Sequence, residues 1–184
     1  MVRKQRVWFP HAMYHITKRG NRRSELFLDD DDRYAYLDFL EQTRLKFPFE
    51  LHAYCLMTNH IHLQLQTIED PISQIMLQLN TIYAKYFNQK YQLSGHVFQG
   101  RYGAELIDSR LYEIDVSKYI HLNPLSANMV EKAEHYHWSS YRTYIYKEHN
   151  PHITTNKILS YFPYPQPINY QKYVERTNVV PGTQ

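Results

Sequence analysis

The 184-residue sequence predicts an α+β fold: a β-α-β-β-α-β run forming one antiparallel sheet, with a further helix after it. Two segments with helical apolar spacing each lie between segments that alternate like strands. The middle two strand-like segments are separated by two residues, which leaves room only for a hairpin.

In chain order, residues 11–18 read as the first strand, closed by the basic loop Arg19-Gly20-Asn21-Arg22-Arg23. The carboxylates of residues 29–32 suit a helix start, through N-capping and the helix dipole. Tyr36, Leu37, Leu40 and Leu45 continue that helix to Lys46, before Pro48 ends it. Residues 50–57 and 60–67 form the hairpin, linked by Thr58-Asn59. Pro71 opens a long helix whose face carries Ile72, Ile75, Met76, Leu79, Ile82, Tyr83 and Tyr86. After a loop at 95–100, residues 102–107 make the fourth strand, and Asp108 or Ser109 caps a helix to about Leu122, interrupted by Asn123-Pro124. A last helix is expected around residues 138–146. Residues 151–184, with Pro163, Pro165, Pro167 and Pro181, are expected to be a loosely ordered extension of a domain spanning residues 1–150. This order of elements is the split-βαβ, ferredoxin-like arrangement.

Hydrophobic residues make up 43% of the chain, so it can bury a core. The net charge of +3 permits a polyanionic partner, and a basic stretch opens the chain at residues 1–6. Eighteen tyrosines and 11 histidines give an aromatic content suited to stacking on unpaired bases, or to an aromatic core. The single Cys55 excludes an intrachain disulfide and a thiolate metal cluster. No signal-peptide core or membrane-length apolar run is visible, so the expectation is a soluble, cytoplasmic protein without a membrane partner.

Chemistry concentrates in two segments. In Asn59-His60-Ile61-His62-Leu63-Gln64-Leu65-Gln66, strand alternation puts Ile61, Leu63 and Leu65 on one face and His60, His62, Gln64 and Gln66 on the other. Histidines two apart on a strand lie about 7 Å apart at Cα, near enough to share a metal ion. A solvated polar face is the alternative. In Lys118-Tyr119-Ile120-His121-Leu122-Asn123-Pro124, Tyr119 and Asn123 sit one helical turn apart, so a phenol and an amide project together. Ordinary packing of Tyr119, with Asn123 capping a helix begun by Pro124, explains the same residues.

Five blocks, in order, resemble the HUH single-tyrosine transposases and, more narrowly, the REP-associated tyrosine transposases. They are residues 14–22, 51–62 (through His60-Ile61-His62), 95–102 (Gly-His-Val-Phe-Gln-Gly-Arg-Tyr), 119–124 and 138–141 (Trp-Ser-Ser-Tyr). The resemblance implies that His60, His62 and Asn123 hold Mg²⁺ or Mn²⁺, and that Tyr119 is the nucleophile of a 5′-phosphotyrosine intermediate on single-stranded DNA. It also implies a hairpin from an imperfect palindrome as substrate, and a monomer or a homodimer, bacterial and nucleoid-associated when bound to DNA. Arg19, Asn21, Arg22 and Arg23 would meet phosphates, and Phe98, Gln99, Arg101 and Tyr102 unpaired bases. His96, His121, His135 and His137 are expected to be structural or solvent-facing. The chain departs from the family pattern at Thr58, where proline is common, and at Gly103-Ala104 and Leu125-Ser126-Ala127, where basic residues are usual. Two other functions fit the same residues: a nuclease using metal-activated water, and a hairpin-DNA binder without catalysis.

Overall fold

Four alternating apolar segments build the sheet. In the computed structural model, which describes residues 7–176, the strands are β1 (Met13–Arg19), β2 (Phe49–Leu56), β3 (His60–Thr67) and β4 (Gly103–Ile107). They pair antiparallel in the order β2-β3-β1-β4, the expected split-βαβ topology. The basic stretch at residues 1–6 and the tail from 177, with Pro181, lie outside the described residues.

Ile61, Leu63 and Leu65 of β3 point to the face covered by α1 (Asp30–Lys46) and α2 (Ile72–Lys90), where they meet Tyr36, Leu40, Ile75, Leu79 and Tyr83 in the main core. A capping box starts α1: Asp29 accepts the Asp32 N–H at 3.0 Å, and Asp32 accepts that of Asp29 at 3.4 Å. Helix α3 (Arg110–Ser126) covers the other face, its Val116 and Ile120 packing on Met13, Ala53, Cys55 and Ile107. Cys55 is a free, buried thiol. No helix among the described residues is long and apolar enough to cross a membrane.

Three expectations need correction. Pro124 does not interrupt α3, which runs on to Ser126. Proline removes one N–H, but the carbonyls of Asn123 and Pro124 still accept from Ala127 and Met129 at 3.0 Å, so the final turn closes. The last predicted helix starts later, as α4 (Tyr141–Tyr146). Residues 138–140 instead run beside β2: Leu56 N–H donates to the Trp138 carbonyl at 2.9 Å and Ser140 N–H to that of Tyr54 at 3.1 Å.

The third concerns the C-terminal extension, which is not loose where it is described. It forms α5 (Asn156–Leu159) and α6 (Gln166–Glu175), with Pro165 at the α6 N-cap. Tyr170 and Val174 of α6, Ile158 of α5 and Tyr141 and Tyr144 of α4 form a third buried cluster against α3. The prolines punctuate helices there, and the aromatic residues between them supply the packing.

Candidate active site on the open end of the sheet

The site forms where three chain segments are stitched together at the His60 end of β3. Gly20 N–H donates to the Asn59 carbonyl at 2.9 Å, Asn21 N–H to that of Val97 at 2.8 Å, and Gln99 N–H to that of Arg19 at 2.9 Å. Gly20 is needed there, because a Cβ would collide with the Ser24 carbonyl. The next turn places Arg22 and Arg23 at φ 52° and 64°, consecutive left-handed residues without glycine's freedom.

These segments frame a cavity of about 320 Å³ lined by Thr17, Lys18, Arg19, His60, His62, Gln99, Arg101, Gly103 and Tyr119. Its lining carries three cationic side chains and no carboxylate, a setting suited to a phosphodiester. Helix α3 brings Tyr119 in edge-on to His62, with ring centroids 5.5 Å apart. One turn on, the Asn123 Oδ1 lies 3.4 Å from His60 Nε2. The His-x-His strand and the tyrosine helix therefore converge within one chain. Tyr119 lines the cavity and is 53% exposed.

Burial disfavours the charged form of both imidazoles. Burial, then the neighbouring His15, His60 and Arg19 charges, lowers His62 to about 3. Burial also lowers His60, against the nearby Asn123 oxygen, which favours the charged ring. Among the described residues, no group of three His, Cys, Asp or Glu side chains is arranged to hold a metal. A divalent ion held by His60 and His62 would need a further donor, and the Asn123 oxygen lies within reach of His60. His60 Nδ1 lies 2.7 Å from Asn59 Oδ1, so a neutral ring donating there leaves its Nε2 lone pair facing the Asn123 oxygen. Two acceptors turned towards each other is a geometry that a cation relieves.

Other predicted residues sit apart. Asn21 and Arg22 line a separate surface cleft with Glu25, Phe87 and Asn88, and Arg23 is exposed. Phe98 turns inward, 4.8 Å beneath the Lys18 ammonium and 6.0 Å from the Tyr83 ring. Tyr102 packs against the core from the α2 side, beside Met76 and Asn80. Gly103 explains one departure noted above, since the Thr17 hydroxyl fills the space a side chain would need. His121 is fully buried between the Tyr170 and Ser140 hydroxyls, at 2.6 and 2.8 Å.

Sequence reasoning gave no site role to three residues. Thr17 and Lys18 line the cavity, and Lys18 donates to the Gly100 carbonyl at 2.7 Å while burial lowers it to about 8. His15 stacks on His62 at 5.3 Å, its Nε2 3.0 Å from His62 Nδ1, and stands edge-on to Tyr119 at 5.5 Å. Its alternation with Thr17 on the first strand was visible in the sequence; the pairing of β1 with β3 that brings it to His62 was not.

A split-βαβ sheet carrying paired histidines, met by a tyrosine helix in a basic cavity, defines a transposase-type protein. The model of the IS200-like transposase family matches residues 9–123, and the chain belongs to that family. Among solved structures, it is similar to the REP-associated tyrosine transposase bound to a REP hairpin: TM-score 0.67 and 20% identity over 86% of this chain and 93% of that one, a likeness of fold. A chain assigned as a transposase from Deinococcus radiodurans aligns at TM-score 0.46 and 18% identity, over 65% of this chain and 95% of its own. The tRNA(His) guanylyltransferase of Saccharomyces cerevisiae aligns at 0.48 and 8%, over 96% and 76%. Neither of these two bears on what this chain does. No curated protein sequence matches it.

Proposed function

We propose that the chain cuts and rejoins single-stranded DNA by transesterification, with Tyr119 as nucleophile. The supporting observation is the placement of the Tyr119 ring edge-on to His62 at 5.5 Å while Asn123 of the same helix reaches His60. A water-activating nuclease has no need of a phenol at that position.

The Tyr119 oxygen attacks the scissile phosphorus and loses its proton. The bond from phosphorus to the 3′ oxygen breaks, and that oxygen leaves as a 3′-hydroxyl after taking up a proton. The 5′-phosphate stays on tyrosine. The phosphodiester count is unchanged, so a second 3′-hydroxyl can reverse the step on another strand without ATP. A phenol is a weak nucleophile at neutral pH, so orientation must contribute heavily. The α3 scaffold provides it, with Ile120 buried on the sheet and Tyr119 projecting beside it. Arg19 and Arg101 flank the strand's path with positive charge.

His60, His62 and Asn123 would hold the divalent ion, Mg²⁺ or Mn²⁺. When bound, the ion supplies Lewis-acid polarisation of the phosphate and neutralises developing charge. Nitrogen donors favour Mn²⁺ over Mg²⁺ in affinity. The substrate is assigned as hairpin-bearing DNA from imperfect palindromes, in keeping with the REP hairpin held by the structurally similar transposase.

The test incubates a 3′-labelled hairpin oligonucleotide, carrying single-stranded flanks, with protein and Mn²⁺. Wild type is expected to yield a denaturation-resistant protein–DNA adduct, and Tyr119→Phe neither adduct nor cut. Cleavage that survives Tyr119→Phe would point to activated water. Hairpin binding without any cut by wild type would point to a binder.

A further inference from the structure

His15 has no part in the transesterification scheme, yet its ring touches two residues on which that scheme depends. It lies on β1, across from Gln64 of β3 and two residues from Thr17, the register partner of His62. The His15 and His62 rings are nearly parallel, 22° apart, and both side chains are buried at 9% and 6% exposure. Their 3.0 Å contact between Nε2 of His15 and Nδ1 of His62 is a hydrogen bond sheltered from water. One nitrogen must donate and the other accept.

We infer that His15 is a positioning residue, whose Nε2 accepts the Nδ1–H of His62 and so keeps the lone pair of His62 Nε2 free for the divalent ion. This assignment rests on the metal role proposed for His62. The opposite arrangement, with His15 donating, would place the His62 proton on Nε2 and remove that lone pair. A free imidazole favours the Nε2–H tautomer, so an unassisted His62 would settle in the form that cannot ligate. His60 is governed by the same device from the other side: its Nδ1 is bonded at 2.7 Å to Asn59 Oδ1, leaving Nε2 available. Both histidines are thus bonded through Nδ1 to a partner outside the His-x-His strand face. Glu105 stands opposite His15 in the β1–β4 register, and its negative charge acts on the His15 ring.

The test reads the tautomer directly, without metal or substrate. Long-range ¹H–¹⁵N spectra of histidine-labelled protein are expected to show His62 as the Nδ1–H form in wild type. In His15→Leu the population should move to Nε2–H, and Mn²⁺ affinity by electron paramagnetic resonance should fall roughly 10- to 100-fold. In His15→Gln the side-chain oxygen can accept in place of the ring, so the Nδ1–H form should return, with Mn²⁺ affinity within about threefold of wild type. Gln lacks the ring that meets Tyr119, so equal damage from Gln and Leu would mean packing, not tautomer control, and would overturn the inference. A wild-type spectrum showing His62 as Nε2–H overturns it with no variant needed, so misfolding of the His15→Leu variant cannot shelter it. Wild type that binds no Mn²⁺ and forms no DNA adduct sinks the functional proposal instead, and with it the purpose assigned to His15.

Discussion

At the scale of single residues, the cavity separates side chains open to a bound strand under the proposed function from those that hold the cavity open. Arg101 lines it beside Gln99, with no carboxylate among the lining residues, so it is placed for phosphate. Replacing it with alanine should weaken binding of single strands of any sequence, and should reduce the slope of log affinity against log salt by about 0.7 if one phosphate contact is lost. Fluorescence anisotropy at several salt concentrations measures both. Phe98, three residues earlier, should behave differently. Its ring supports Lys18 and packs near Tyr83, so Phe98→Ala is expected to cost roughly 2 kcal/mol of stability for a half-buried aromatic. Urea unfolding would report that loss, while the salt slope for DNA stays unchanged. An unaltered urea midpoint with a lost stacking signal would show that the ring meets DNA after all. The contrast marks what was legible. That His60 and His62 share a strand face, and Tyr119 and Asn123 a helix face, follows from periodicity; their joint role is what the resemblance to the HUH transposases implies. The inward turn of Phe98, and the arrival of His15 behind His62, depend on strand order, which no local pattern carries.

At the scale of elements, α3 must be rigid for Tyr119 to be useful, and the C-terminal helices supply that rigidity. Tyr170 of α6 reaches both Ser117 and His121 of α3 at 2.6 Å, and Lys118 donates to the Tyr173 and Arg176 carbonyls at 3.0 Å. Within α3, Ser117, Lys118 and His121 are therefore tied to the α6 segment while Tyr119 and Ile120 between them face the sheet. Tyr170→Phe should cost about 1–3 kcal/mol, since it leaves the Ser117 hydroxyl and a His121 nitrogen short of a partner in a dry interior. A thermal midpoint equal to wild type would refute this. The same network predicts acid sensitivity. Burial lowers His121 to about 3, against about 6.5 when unfolded, so the unfolded chain takes up a proton that the folded chain refuses. The stability that His121 gives is therefore complete above pH 6.5 and declines below it, by about 1.4 kcal/mol per pH unit until about pH 3. His121→Gln should make the stability curve between pH 6 and 4 shallower by one proton's worth, as urea midpoints across that range would show. These helices were invisible in the sequence because prolines at 163, 165 and 167 read as disorder, whereas they fall between and at the starts of helices. The four strands and first two helices were legible because core burial on one side sets their apolar spacing.

At the scale of the whole molecule, the decisive fact is that one chain supplies both halves of the site. Strand β3 contributes His60 and His62, and α3 of the same chain contributes Tyr119 and Asn123, with Asn123 3.4 Å from His60. The connection is anchored at both ends: Ile120 packs on the sheet through Met13, Ala53 and Cys55, and α6 clasps the outer side of α3. Releasing α3 to serve a second copy would expose the apolar Val116 and Ile120 and uncover Tyr170, burial worth several kcal/mol that no partial contact could replace. Complementation makes this testable at any oligomeric state. If tyrosine served the histidines of another copy, mixing His60→Ala protein with Tyr119→Phe protein would rebuild some complete sites, and a DNA adduct would reappear. With the site closed within each chain, every copy in the mixture lacks one half, so the adduct should stay at the background of the separate variants. The assay is run with both proteins at equal concentration and after joint refolding, which gives exchange its best chance. Recovery of a quarter or more of wild-type adduct would show that α3 leaves its own sheet, and the rigid delivery of Tyr119 argued from its clasp would fall.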